Sequence, residues 1–162
     1  MGPADQADRL KNPGMRRQTH ARKLVQHGKL RAEFNNILTG TDHMNATIKT
    51  SADLAALACR PLRGAEHLLP RADTDRFLGL LPGWTLSDDG LVIAREFRFK
   101  QYFQTMAFVN AIAWIAHRED HHPDLEVGYS RCLVALSTHD VGGLSMNDFI
   151  VAAQIEALGI LA

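Results

Sequence analysis

Between Leu91 and Phe99 apolar and polar side chains alternate, with Leu91, Ile93, Phe97 and Phe99 on one side and Val92, Ala94, Glu96 and Arg98 on the other. A period of two belongs to a half-buried strand. The turn Asp88-Asp89-Gly90 joins it to Trp84-Thr85-Leu86 as a β-hairpin. From Gln101 to His117 the period becomes helical, and Phe103, Met106, Val109/Asn110, Ala113 and Ile115/Ala116 mark a broad stripe expected to be buried. His121-His122-Pro123 ends that helix, because proline fixes φ, lacks an amide donor and drives the preceding residue into extended backbone. Leu125 to Arg131 then reads as an extended segment and Cys132 to Thr138 as a strand. Gly142-Gly143 make a loop, and Ser145 caps a last helix running to about Leu158 with Asp148 at its N3 position. Upstream, Thr50 to Pro70 reads as irregular, broken by Cys59-Arg60-Pro61-Leu62 and Gly64. Asp73 or Thr74 is expected to cap a short helix to about Leu81, which Pro82-Gly83 stops. The order α-β-β-α-β-β-α predicts an α+β fold, a four-stranded antiparallel sheet with three helices packed on one face.

Composition adds bounds. The chain has 162 residues, 46% hydrophobic and 22% charged, enough for one core without staples. Its two cysteines, Cys59 and Cys132, stand far apart and outside any CxxC pairing, which suggests neither a disulfide framework nor a cysteine metal site. No apolar run approaches the roughly 18 residues needed to span a bilayer, and no apolar stretch follows the first charges. The expectation is a cytoplasmic protein without a membrane partner.

A net charge of zero conceals an asymmetry. Residues 1–43 carry eight Lys/Arg against four Asp/Glu, and the rest carries ten against fourteen. We therefore divide the chain into a basic extension over 1–43, expected to be disordered or weakly helical, and a domain over 44–162. The extension lacks aromatic interleaving, so direct nucleic-acid binding is not expected. With Asp5 and Asp8 it also makes a poor targeting presequence. The plainest account makes Met44 the natural start and the rest an upstream extension or a cloning remnant.

The chemistry concentrates in His121-His122-Pro123, in Ser137-Thr138-His139, and in Asp148. Imidazole gives and takes protons near neutrality, with an unperturbed pKa of about 6.5. Two adjacent imidazoles oppose each other's protonation, which leaves a neutral base available. Each block by itself is more simply a surface turn or a strand end, and Asp148 is as well explained as an acid stabilising a helix start. All fall at element ends, where functional groups are braced by rigid elements.

The run Glu119-Asp120-His121-His122-Pro123-Asp124, followed by Tyr129, Ser137-Thr138-His139-Asp140, Gly143-Leu144-Ser145 and Asn147-Asp148, resembles the pterin-4a-carbinolamine dehydratase family. The resemblance extends over roughly residues 60–160, including the Trp84 hairpin and Phe97-Arg98-Phe99-Lys100. It implies dehydration of a 4a-hydroxytetrahydropterin to the quinonoid dihydropterin, recycling the cofactor of aromatic amino acid hydroxylases. On that resemblance His121 is the principal acid/base group, His122 helps hold the pterin, His139 sits near the leaving hydroxyl, and Asp148 orients or polarises a histidine. Asp120, Pro123, Ser137, Thr138 and Asp140 would line the pterin. No metal or redox cofactor is implied, and family members form dimers or tetramers through sheet edges and helices.

Two positions depart from the family pattern. His117 stands where many members have a glutamate, with Glu119 and Asp120 as nearby substitutes, and Leu125 stands where many have an aromatic. Two other readings compete. His117 and His121 are spaced i, i+4, as two metal ligands on a helix face would be, with His122 and His139 in reserve, which would suit a zinc hydrolase. The other is a non-catalytic scaffold, since family members also act as a dimerisation cofactor for a homeodomain transcription factor or as assembly factors for a carbon-fixing enzyme.

Overall fold

The computed structural model describes residues 47–159. The extension expected over residues 1–43 lies outside them. Among the described residues four complete α-helices, α1 (Ser51–Ala55), α2 (Arg71–Leu78), α3 (Tyr102–Glu119) and α4 (Met146–Glu156), accompany four strands, β1 (Thr85–Leu86), β2 (Ile93–Arg98), β3 (Asp124–Val127) and β4 (Arg131–Leu136). The sheet order is β1-β2-β4-β3 and every pair is antiparallel. Two hairpins, β1–β2 and β3–β4, are thus joined through α3, and β2 and β4 meet at the centre. The α+β class is the expected one, with one helix more than the three predicted.

The β2–β4 register sets Ile93 opposite Leu136, Arg95 opposite Val134 and Phe97 opposite Cys132. Ile93, Phe97, Cys132, Val134 and Leu136 are all buried, so one face of the sheet carries the core. Helices supply the other half: Phe77 from α2, Phe108 and Ile112 from α3, Phe149 and Ile155 from α4. Phe97 lies 4.6 Å from Phe108 and Phe77 lies 5.5 Å from Phe149, centroid to centroid, in the tilted arrangements aromatic rings favour. Arg95 points toward the same face, and its charge is paired where the side chain is largely covered. Its guanidinium covers the Phe97 ring at 4.7 Å and bonds Glu156 at 2.6 Å, and the other Glu156 oxygen accepts from the Trp84 indole at 2.8 Å.

Several local expectations are corrected. Thr50–Pro70 is not irregular throughout, because Thr50 and Asp53 form a capping box that starts α1. At five residues that helix is too short to show a period. α2 begins at Arg71, after Pro70, so Asp73 and Thr74 lie inside it and Thr74 is buried. Leu91 precedes β2 and is exposed. The extended segment over 125–131 resolves into β3 and a turn. α3 runs two residues past His117, and its buried stripe is Thr105, Phe108, Ile112, Ile115 and Ala116. Phe103 is 75% exposed. Apolar side chains occur all round α3, and a period alone does not fix which face turns inward. Among the described residues no helix is long and apolar enough to cross a membrane.

Candidate active site

α3 stops at Asp120, which adopts the left-handed conformation at φ 50°, the only non-glycine residue to do so among those described. The next amide, of His121, donates back to the Ala116 carbonyl at 3.2 Å, the six-to-one bond of a Schellman ending. The reversal turns His121 inward, where it is 8% exposed, and leaves His122 outside.

The second block follows β4. Thr138 and Gly143 bridge across a loop whose middle is a 3-10 turn, His139–Val141, closed by Gly142 at φ 81°. Ser145 then caps α4 in a capping box with Asp148. That box places the Asp148 side chain over the helix N-terminus, fully buried, in the region where the helix dipole favours negative charge.

The two blocks meet on this carboxylate. Asp148 Oδ1 lies 2.7 Å from His121 Nε2. Asp148 Oδ2 accepts from the Thr138 hydroxyl at 2.7 Å, the Ser145 amide at 2.7 Å and the Ser145 hydroxyl at 3.4 Å. Thr138 Oγ1 and Ser145 Oγ are themselves 2.7 Å apart. A carboxylate only accepts, so Nε2 carries the proton and the network assigns the tautomer whose Nδ1 bears the lone pair. No buried polar side-chain atom among the described residues lacks a hydrogen bond. Nδ1, which makes none there, is therefore on the accessible side of the ring. A buried acid holding one imidazole nitrogen while the other faces outward is an arrangement able to take and return a proton.

The structure brings His121, Thr138 and Asp148 into one hydrogen-bonded unit and adds Ser145 to it. Reading the sequence marked Ser145 only as a helix cap, although the Ser145-to-Asp148 box was the signal that ties it to the site. Thr138 is buried, and its hydroxyl donates to Asp148. His122, His139, Asp120 and Asp140 are exposed around this unit, and Pro123 and Ser137 are half-buried. Asp140 pairs loosely with Arg63 at 3.7 Å.

Glu119 does not turn toward the histidines. One of its oxygens accepts from the Cys59 amide at 2.9 Å, and the other from Arg118 Nε at 3.0 Å and Gln154 Nε2 at 3.1 Å. Burial works against its charge, but the Cys59 amide, Gln154 and Arg118 outweigh it and hold the carboxyl below its ordinary range. His117 is exposed near the Trp114 ring. Because the helix ends between them, His117 and His121 do not share a helix face, and among the described residues no group of three or more His, Cys, Asp or Glu is arranged to hold a metal ion. Tyr129 stacks on Tyr102 at 5.9 Å, at the hairpin end of β3 opposite the site. Leu125 packs at the edge of the core.

The family model described as pterin 4 alpha carbinolamine dehydratase matches residues 67–158. A protein of Stenotrophomonas maltophilia (strain K279a), provisionally named a pterin-4-alpha-carbinolamine dehydratase, is 59% identical over 110 residues, covering 66% of this chain and 95% of its own. One of Xanthomonas campestris pv. campestris (strain 8004), with the same provisional name, is 57% identical over 100 residues, covering 62% and 85%. A crystal structure from Brucella melitensis, described as a transcriptional coactivator/pterin dehydratase, superposes with a TM-score of 0.55 at 31% identity, covering 58% of this chain and 98% of that one. The chain that folds His121 onto Asp148 in this way belongs to the pterin 4 alpha carbinolamine dehydratase family.

Proposed function

We propose that this protein dehydrates 4a-hydroxytetrahydropterin to the quinonoid dihydropterin by histidine acid/base catalysis. The observation that carries the reading is the 2.7 Å contact between His121 Nε2 and the buried Asp148, which leaves Nδ1 as the free base. His121 takes the N5 proton of the carbinolamine, and Asp148 stabilises the resulting imidazolium. The C4a–O bond breaks as the C4a=N5 double bond forms, and His139 gives its proton to the departing hydroxyl, which leaves as water. No electrons pass to or from an outside partner, so the reaction requires no redox cofactor. His122 holds the pterin from the exposed side of the turn, with Asp120, Pro123, Asp140 and the backbone of Ser137 and Thr138 around it.

The product is the oxidised form of a tetrahydropterin, so the activity serves an aromatic amino acid hydroxylase in a reducing cytoplasm. Among the described residues β3 is an edge strand of the sheet, suited to pairing in a homo-oligomer.

The test is the rate of quinonoid dihydropterin formation from enzymatically generated 4a-hydroxytetrahydropterin, with chelator present throughout. The wild type is expected to accelerate it, and His121→Ala to lose about 10²–10⁴-fold. No acceleration by the folded wild type would sink the enzyme assignment and favour a scaffold.

A further inference from the structure

The stretch between α1 and α2 has few backbone partners of its own, and the protein holds it with side chains taken from the site elements. The Leu57 carbonyl accepts from Gln154 Nε2 at 3.1 Å, and the Cys59 amide donates to Glu119. Arg60 is gripped on both sides by one side chain: its amide donates to Asn147 Oδ1 at 3.2 Å and its carbonyl accepts from Asn147 Nδ2 at 2.8 Å. Further on, the Gly64 amide donates to the Asp140 carbonyl at 2.9 Å. Three of these four anchors share a property. Glu119 lies two residues before His121, Asp140 directly after His139, and Asn147 directly before Asp148. One segment is thus tied beside all three blocks that carry the candidate chemistry.

We propose that residues 57–60 form a wall of the pterin site, and that Asn147 and Glu119 are the positioning residues that hold it there. The inference rests on the dehydratase reading and deepens it, because the family match begins only at residue 67.

Irregular backbone near a site must have its polar groups satisfied. Here a nearly buried amide, Asn147, and a nearly buried carboxylate, Glu119, are committed to that task. Burying a charge is costly unless it is hydrogen-bonded, and Glu119 has three donors. The Cys59 thiol, which donates to the Asn147 carbonyl at 3.7 Å, is pushed up to about 12, first by burial and then by the negative charges of Glu119 and Asp148. The segment is therefore within electrostatic reach of the carboxylate that holds His121. A wall held in place before the substrate arrives spares binding the entropy of ordering it.

Two measurements test this. In the wild type, hydrogen–deuterium exchange is followed with and without oxidised biopterin, which lacks the 4a-hydroxyl and cannot be dehydrated. Slower exchange is expected in peptides covering 57–66 as well as in those covering 119–124 and 137–142. Protection of the latter two without the first would overturn the wall and leave the dehydratase reading standing. No protection anywhere, with no turnover, would sink both. Secondly, Asn147→Ala is expected to raise KM about tenfold with a smaller change in kcat. A purely structural Asn147 would instead lower kcat with the folded fraction and leave KM unchanged, which would overturn the proposal. Should the variant fail to fold, the exchange experiment decides.

Discussion

His121 Nε2 and Asp148 Oδ1 lie 2.7 Å apart, between residues 27 positions apart in the chain, with the carboxylate wholly excluded from solvent. The Asp148 oxygen not facing His121 is occupied by the amide and hydroxyl of its own helix cap and by Thr138. The carboxylate therefore cannot rotate without losing several hydrogen bonds, and His121 is held by a fixed partner.

Replacing Asp148 by Asn puts an amide NH2 where only acceptors fit. Either it faces the Ser145 amide and Thr138 hydroxyl, or it faces His121 Nε2 and favours the other tautomer. We expect Asp148→Asn to lower kcat about 10²–10⁴-fold and to destabilise the fold by about 1–3 kcal/mol. Dehydration kinetics and urea unfolding check the two parts separately. An unchanged kcat would show that the carboxylate does not act through His121.

Thr138→Val keeps the shape of the side chain and removes its hydroxyl. One Asp148 oxygen and the Ser145 hydroxyl then lose a buried partner, at an expected cost of about 1–3 kcal/mol. Thr138→Ser, which retains the hydroxyl, should recover most of that. The comparison is made by denaturant midpoints at equal m-value. If Val and Ser variants are equally stable, the Thr138–Asp148 bond contributes nothing net.

Phe108 is in contact with both Phe97 and Phe99 and joins α3 to the sheet. Phe108→Ala should cost about 3–5 kcal/mol. Phe103→Ala, on the same helix but 75% exposed, should stay within about 0.5 kcal/mol in the isolated chain. Thermal and chemical unfolding of the pair reads out which face of α3 is buried.

The Cys59 thiol, raised to about 12, should alkylate more than about a hundredfold more slowly at pH 8 than in urea-unfolded protein. Its folded pKa lies above its unfolded one, so the native state binds the proton more tightly. The stabilisation is complete below the unfolded pKa and is lost as pH rises from about 9 to about 12. Cys59→Ser should flatten part of that alkaline decline, and a decline identical to that of the wild type would count against the assignment.

The local features were legible in the sequence because local forces make them. The hairpin turn at Asp88-Asp89-Gly90, the long helix before His-His-Pro and the Ser145–Asp148 box involve partners a few residues apart, and they hold in the structure. Failures came where local patterns were ambiguous or short. α3 carries apolar residues on more than one face, so its period points Phe103 inward while packing leaves it exposed. α1 spans five residues, too few to show a helical period, so the sequence there reads as irregular chain.

By itself the sequence determined the order of the four strands and of three of the described helices, the α+β class, the helix start that carries Asp148 and the two histidine blocks, through periodicity, turn chemistry and motif spacing. Tertiary structure decided that His121 rather than His122 turns inward, that Thr138 braces Asp148, and that Glu119 and Asn147 hold residues 57–60. The physical reason is sequence distance. Asp148 bonds Thr138 across ten residues and His121 across 27, while Glu119 and Asn147 reach back 60 and 87. Such pairs exist only once packing of the shared core has closed the intervening loops.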